Sequence, residues 1–119
     1  MDESILNSIK KMLGGNLSGD DSFDNEIIPI INMALNILVQ LGAGPSQGFN
    51  ITGPAEVWSD FVDEDEMLLP LAREYCFLKV KSLWDNSSTP SAVLEIYKEQ
   101  AKEMECRILY RMDPPTTFI

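Results

Sequence analysis

From Ile27 through Ala55 the chain carries no charged residue, although charged residues make up 24% of its 119 positions. A helix turned toward water seldom goes so long without charge, so the first part of this stretch has to be covered by something. Ile27, Ile31, Ala34, Leu38 and Leu41 recur at spacings of four and three, with Ile28, Leu35 and Ile37 widening the apolar face. The pattern predicts a helix that follows Phe23, is capped by Asp24, is stopped by Gly42 and Gly44, and forms the centre of the fold. Glu26 complements its positive end, and Pro29 lies near enough to the start to delay or kink the first turns. Asn32, Asn36 and Gln40 recur every four residues along the same helix. That polar stripe argues against a membrane span and leaves two readings open. Either the amides cap loops within a bundle, or the stripe faces a neighbouring subunit, because interface centres are depleted in charge.

Three further helices are predicted around it, giving an all-α chain, a small four-helix bundle in one domain over residues 1–119. The first covers 2–14, with Ile5, Ile9, Met12 and Leu13 at helical spacing and Gly14-Gly15 as its stop. Residues 14–22, GGNLSGDDS, read as a link too polar to enter a core, so this helix is expected to be loosely attached and free to dock elsewhere. The third helix runs from Glu66 to Trp84 behind the acidic run Asp63-Glu64-Asp65-Glu66, which complements its dipole. Leu68, Leu71, Tyr75 and Leu78, extended by Ala72, Cys76, Val80, Leu83 and Trp84, bury it on more than one side. After a break at 85–89, Thr89 is the expected cap and Pro90 the first residue of a fourth helix reaching Met112. Val93, Leu94, Tyr97, Ala101, Met104 and Ile108 form its apolar stripe, and Glu95, Lys98, Glu99, Lys102, Glu103 and Arg107 its solvated face.

The connections carry the remaining information. Residues 42–62 form a long loop between the second and third helices, ending in Val57, Trp58, Phe61 and Val62, whose aromatics either close the bundle or receive a partner. Phe49-Asn50-Ile51-Thr52 is the one short strand candidate. Asp113-Pro114-Pro115 launches an extended tail, 113–119, in which Pro114, Pro115, Phe118 and Ile119 are candidate contacts.

Chemistry is poorly provided for. Without histidine the chain lacks the commonest general base and metal ligand. No glycine-rich phosphate loop follows a strand, and a calcium-loop register beginning at Asp63 fails because Met67 and Leu68 occupy the fifth position and the turn glycine. A carboxylate-held magnesium enzyme needs acid pairs facing inward, whereas the acids of the third helix precede its apolar run. Cys76 and Cys106 lie in apolar helical patterns and are expected to be buried and reduced. No catalytic residue, cofactor site or metal site is assigned. The formal charge of −10, from 19 acidic and 9 basic residues, disfavours gripping DNA or an anionic membrane. An acidic wall still lets DNA pass without sticking. The amino terminus, MDESILNSIKKM, has no basic segment ahead of an apolar one, so no secretory signal is expected, and the two sequons at Asn50 and Asn86 carry little meaning.

Several segments in order form a recognisable series: Ser8-Ile9-Lys10-Lys11-Met12-Leu13-Gly14, then Asp24 through Leu41 flowing into Gly42-Ala43-Gly44-Pro45-Ser46-Gln47-Gly48-Phe49 and Ile51-Thr52. Trp58-Ser59-Asp60-Phe61 follows, then Ala72 through Lys81 with Leu83-Trp84-Asp85, and finally Glu105-Cys106-Arg107 with Asp113-Pro114. Over nearly its whole length the chain resembles the head-tail connector (adaptor) proteins of long-tailed bacteriophages of Gram-positive hosts. It departs from them at Asn86-Ser87-Ser88-Thr89, where a more proline-rich break is expected. The resemblance implies a non-enzymatic virion protein, assembled in the host cytoplasm as a ring of about a dozen copies. It also implies a portal protein above, a tail or stopper protein below, and DNA passing through without specific binding. Asn32, Asn36, Gln40 and the tail residues are the expected protein contacts. Size and charge alone also fit a small acidic regulatory protein that sequesters a host or phage protein.

Overall fold

The computed structural model describes residues 3–14, 17–84 and 89–112. Five helices follow one another among them: α1 (Ile5–Leu13), α2 (Asp24–Gln40), α3 (Trp58–Val62), α4 (Leu68–Leu83) and α5 (Ser91–Met112), with a 3-10 turn at Leu17–Gly19. Among the described residues there is no strand; Ser4 and Val57 make one isolated antiparallel bridge. The chain is therefore all-α, as expected, with α3 as an additional short helix inside the segment that reads as a loop.

α4, rather than α2, is the packing centre, since it touches each of the other four helices. Its buried residues Leu68, Ala72, Tyr75, Cys76, Leu78, Val80 and Ser82 cover more than half of its circumference. α2 offers only one face to other helices, through Ile27, Ile31, Ala34, Leu35 and Leu38. Its freedom from charge has a second cause, described below.

α1 is part of this core, which corrects the expectation that it docks elsewhere. Ile5, Leu6 and Ile9 are fully buried, and the helix packs on α4. Nine residues are too few for a helix to stand alone in water, so its apolar face is stabilised by burial against the rest of the chain. Ser4 caps it by accepting the Asn7 N–H at 3.2 Å, and Gly14, at φ +79°, ends it. The buried Lys10 ammonium reaches the Asp24 carboxylate at 2.8 Å, tying α1 to the start of α2.

Two caps differ from expectation. Phe23 holds the capping position of α2, and Asp24 is its first helical residue, its carboxylate bound by Lys10. The Pro90 carbonyl accepts from both Val93 and Leu94, so Pro90 itself is the capping residue of α5. Pro29 sits inside α2 without ending it. The hydrogen bond it cannot donate would have gone to the Asn25 carbonyl, and both residues are exposed, where a missing helix bond costs least.

α5 buries only Ala101, Met104 and Ile108 against α4, while Val93, Leu94 and Tyr97 are half-buried. Cys106 is exposed, contrary to expectation, because the helical turn places it opposite Met104 and Ile108; Cys76 is buried. The tail 113–119 and the break at Asn86-Ser87-Ser88 lie outside the described residues.

Candidate assembly surfaces

The amides of α2 hold the long loop. Asn32 donates to the Ile51 carbonyl at 3.1 Å and accepts the Ile51 N–H at 2.7 Å. Asn36 does the same with Phe49, at 2.8 and 3.1 Å, and also donates to Asn50 Oδ1 at 2.9 Å. Four residues of helix rise about 6 Å, and two residues of extended chain rise about 6.6 Å. Amides one helical turn apart therefore match alternate residues of an extended segment, each serving a backbone as a neighbouring strand would. The strand candidate Phe49-Asn50-Ile51-Thr52 forms no strand; its backbone at Phe49 and Ile51 is bonded by the amides of a helix instead.

Held this way, Ile51 enters the core and Phe49 packs edge-on against Phe61, with ring centroids 5.4 Å apart. Gly44 passes beneath Phe61 at φ +74°; a Cβ there would stand 2.5 Å from the ring. Trp58 is fully buried and donates its indole N–H to Ser8 Oγ at 2.8 Å. Trp58 N–H also bonds to the Glu3 carbonyl, and Ile5 N–H to that of Glu56, both at 3.0 Å. The aromatics thus close the bundle, and α1 is what they close upon.

Between α4 and α5 the buried Tyr75 hydroxyl donates to Glu105 at 2.6 Å, and Lys79 stands 3.9 Å from the same carboxylate. Burial, then the hydrogen bond and charge of Glu105, push the Tyr75 hydroxyl far up, so it remains a proton donor. At the other end of the helix pair Arg111 binds Asp65, whose carboxylate also accepts the N–H of Leu68, the first residue of α4. Arg111 is the largest cause holding the Asp65 carboxyl below its ordinary range, against desolvation, which raises it.

Charge is divided along the chain. All nine basic residues lie outside positions 12–72, where nine acids balance them; the ten acids within 12–72 carry the whole net charge of −10. Among the described residues no group of acids or cysteines is arranged to hold a metal ion, and no helix is long and apolar enough to cross a membrane.

This arrangement offers binding surfaces and structural polar networks. The profile of the phage connector protein family matches residues 5–115. The chain belongs to that family. No curated protein and no solved structure matches it.

Connector proteins are structural, which weighs against an enzyme and makes other head-tail proteins the partners. Of the surface residues expected in this connector, Asn32 and Asn36 are brought together under their own loop, and Gln40, one turn further, is exposed. Pro114, Pro115, Phe118 and Ile119 lie outside the described residues. Sequence reasoning missed the division of charge, although the absence of Lys and Arg from 12–72 was there to be counted. It also missed the exposed apolar residues on the outward side of α5, Ile96, Leu109 and Tyr110. They share that side with charged residues and read as part of a solvated face.

Proposed function

We propose that this connector protein is the repeating subunit of a closed ring at the head-tail junction of a long-tailed phage, seated beneath the portal and continuing the DNA channel. The observation that carries the reading is the family match across residues 5–115. The finer resemblance in the sequence points to phages of Gram-positive hosts, with assembly in the host cytoplasm. An acidic subunit supports passage of DNA, since a wall of like charge raises no barrier of adhesion. In this reading Gln40 meets the neighbouring subunit, and Pro114, Pro115, Phe118 and Ile119 dock on the portal or on the next tail component.

Mixing the purified chain with purified portal and viewing the product by electron microscopy tests the proposal. A ring of added density beneath the portal is expected; portals left bare overturn it. Removing residues 114–119 should abolish that docking while leaving the helical circular dichroism intact, and unchanged docking refutes the role of the tail.

A further inference from the structure

A ring of identical subunits is built from one heterologous contact repeated, so each copy must carry two different surfaces that fit one another. Two such surfaces lie at opposite ends of α4. At its C-terminal end, a groove of about 290 Å³ against α5 is lined by Lys79, Leu83, Lys98, Ala101, Lys102 and Glu105. Three ammonium groups line it beside the carboxylate of Glu105, which the Tyr75 hydroxyl and, at 3.9 Å, Lys79 already engage, so Lys98 and Lys102 are the ammonium groups it leaves to solvent. Lys98 stands 3.8 Å from Glu95, with both side chains more than half exposed, a pairing worth little in water. Leu83, 47% exposed, supplies apolar surface at the groove edge.

At the N-terminal end the chain turns sharply through Asp63, at φ +57°, and presents Asp63, Glu64, Glu66 and Met67 to solvent. Met67 is 68% exposed. Asp65 is bound by Arg111, which leaves its neighbours to point away from the body. The corner thus has carboxylates around a flexible thioether, and the groove has ammonium groups beside an apolar edge. The sixteen residues of α4 put about 24 Å between corner and groove, so they cannot meet within one chain.

We propose that the acidic corner of one subunit, Asp63 to Met67, docks in the lysine groove of a second copy of this chain. The inference rests on the ring reading above and names the two surfaces that make it. Like charge elsewhere on subunits of charge −10 opposes association, so oppositely charged patches select which faces meet. The phosphate backbone of DNA is the other anion such a groove would take, and the net charge of the subunit disfavours it.

Charge exchange on the full chain provides the test, with assembly read by native mass spectrometry alone and on the purified portal. K98E/K102E reverses the groove and E64K/E66K the corner; these residues are exposed, and circular dichroism checks that each variant is folded. Each variant alone should need at least about tenfold more protein to assemble. An equal mixture of the two should assemble as the wild type does, because every contact in an alternating ring is again complementary. The chain carrying all four changes should likewise assemble with itself. If the wild type assembles and the reversals do too, or the mixture fails to recover, the corner-groove contact is refuted while the ring stands. If the wild type forms no oligomer under either condition, the ring falls and this contact with it. If K98E/K102E loses retention of a DNA duplex while assembly is unchanged, the groove belongs to phosphate and the proposal is overturned.

Discussion

The indole N–H of Trp58 donates to the Ser8 hydroxyl across 2.8 Å, joining two buried residues fifty positions apart. Ser8 in turn donates to the Ile5 carbonyl at 2.9 Å, so the hydroxyl both accepts and donates. Ser8→Ala strands a buried donor and should cost about 1–3 kcal/mol. Combining it with Trp58→Phe, which removes that donor, should cost less than the two separate losses added together. Urea unfolding followed by circular dichroism measures all three variants; strict additivity would show that the bond contributes nothing.

Asn36→Ala removes both hydrogen bonds to the Phe49 backbone and should cost about 1–3 kcal/mol. It should also open residues 45–56 to limited proteolysis. Gln40→Ala, on the same stripe but exposed, should change neither. Equal resistance of the three proteins to a protease would refute the clamp.

Gly44 and Gly53 give a controlled pair. At Gly44 a methyl group meets the Phe61 ring and a left-handed backbone at once, whereas nothing lies within 4 Å of a Cβ on Gly53. Gly44→Ala should destabilise by more than about 2 kcal/mol, and Gly53→Ala by less than about 1 kcal/mol. Thermal or urea unfolding of the pair would expose a reversed order.

Two cysteines in opposite surroundings should be separable by reagent. Burial pushes the Cys76 thiol far up and hides it, while Cys106 is exposed on α5. A maleimide should label one site in the folded protein, at Cys106, and a second only in denaturant. Native labelling at Cys76 would mean that the α4 core opens readily.

Asp65 sets a direction for acid sensitivity. Its carboxyl is held below the ordinary 3.8, chiefly by Arg111, so the folded state binds that proton less readily than the unfolded chain. The stabilisation is therefore present above about 3.8 and is lost as pH falls through the lower folded value. Burial pushes Glu56 up, but the Thr52 hydroxyl and N–H outweigh it, so Glu56 acts in the same direction. Urea midpoints between pH 6 and pH 2 should fall less steeply for Asp65→Asn than for the wild type. Parallel curves would rule out the Asp65–Arg111 pair as a source of acid sensitivity.

Four of the five helices were legible from their apolar periods, helped by the stops at Gly14 and Gly42, whereas the five residues of α3 are too few to show a period. What covers each helix was less so. An uncharged α2 reads as the centre, but part of that signal comes from Asn32 and Asn36 binding backbone, a use that no spacing rule distinguishes from an interface stripe. The docking of α1 depends on Trp58, Glu56 and α4, all far along the chain, while the adjacent GGNLSGDDS segment invites the opposite conclusion. The capping roles of Phe23 and Pro90 were hidden by neighbours, Asp24 and Thr89, with better intrinsic propensity.

The dependence of α1 on later residues sets a timetable for synthesis. Ile5, Leu6 and Ile9 leave the ribosome before Trp58 and Tyr75 have been translated, and at about 5–20 residues per second they wait several seconds for cover. During that interval the nascent chain displays an uncovered greasy segment, too short to hold its helix alone, at its leading end. A fusion partner placed ahead of Glu3 would influence how much of the newborn protein reaches its native state, even where it leaves the finished fold untouched.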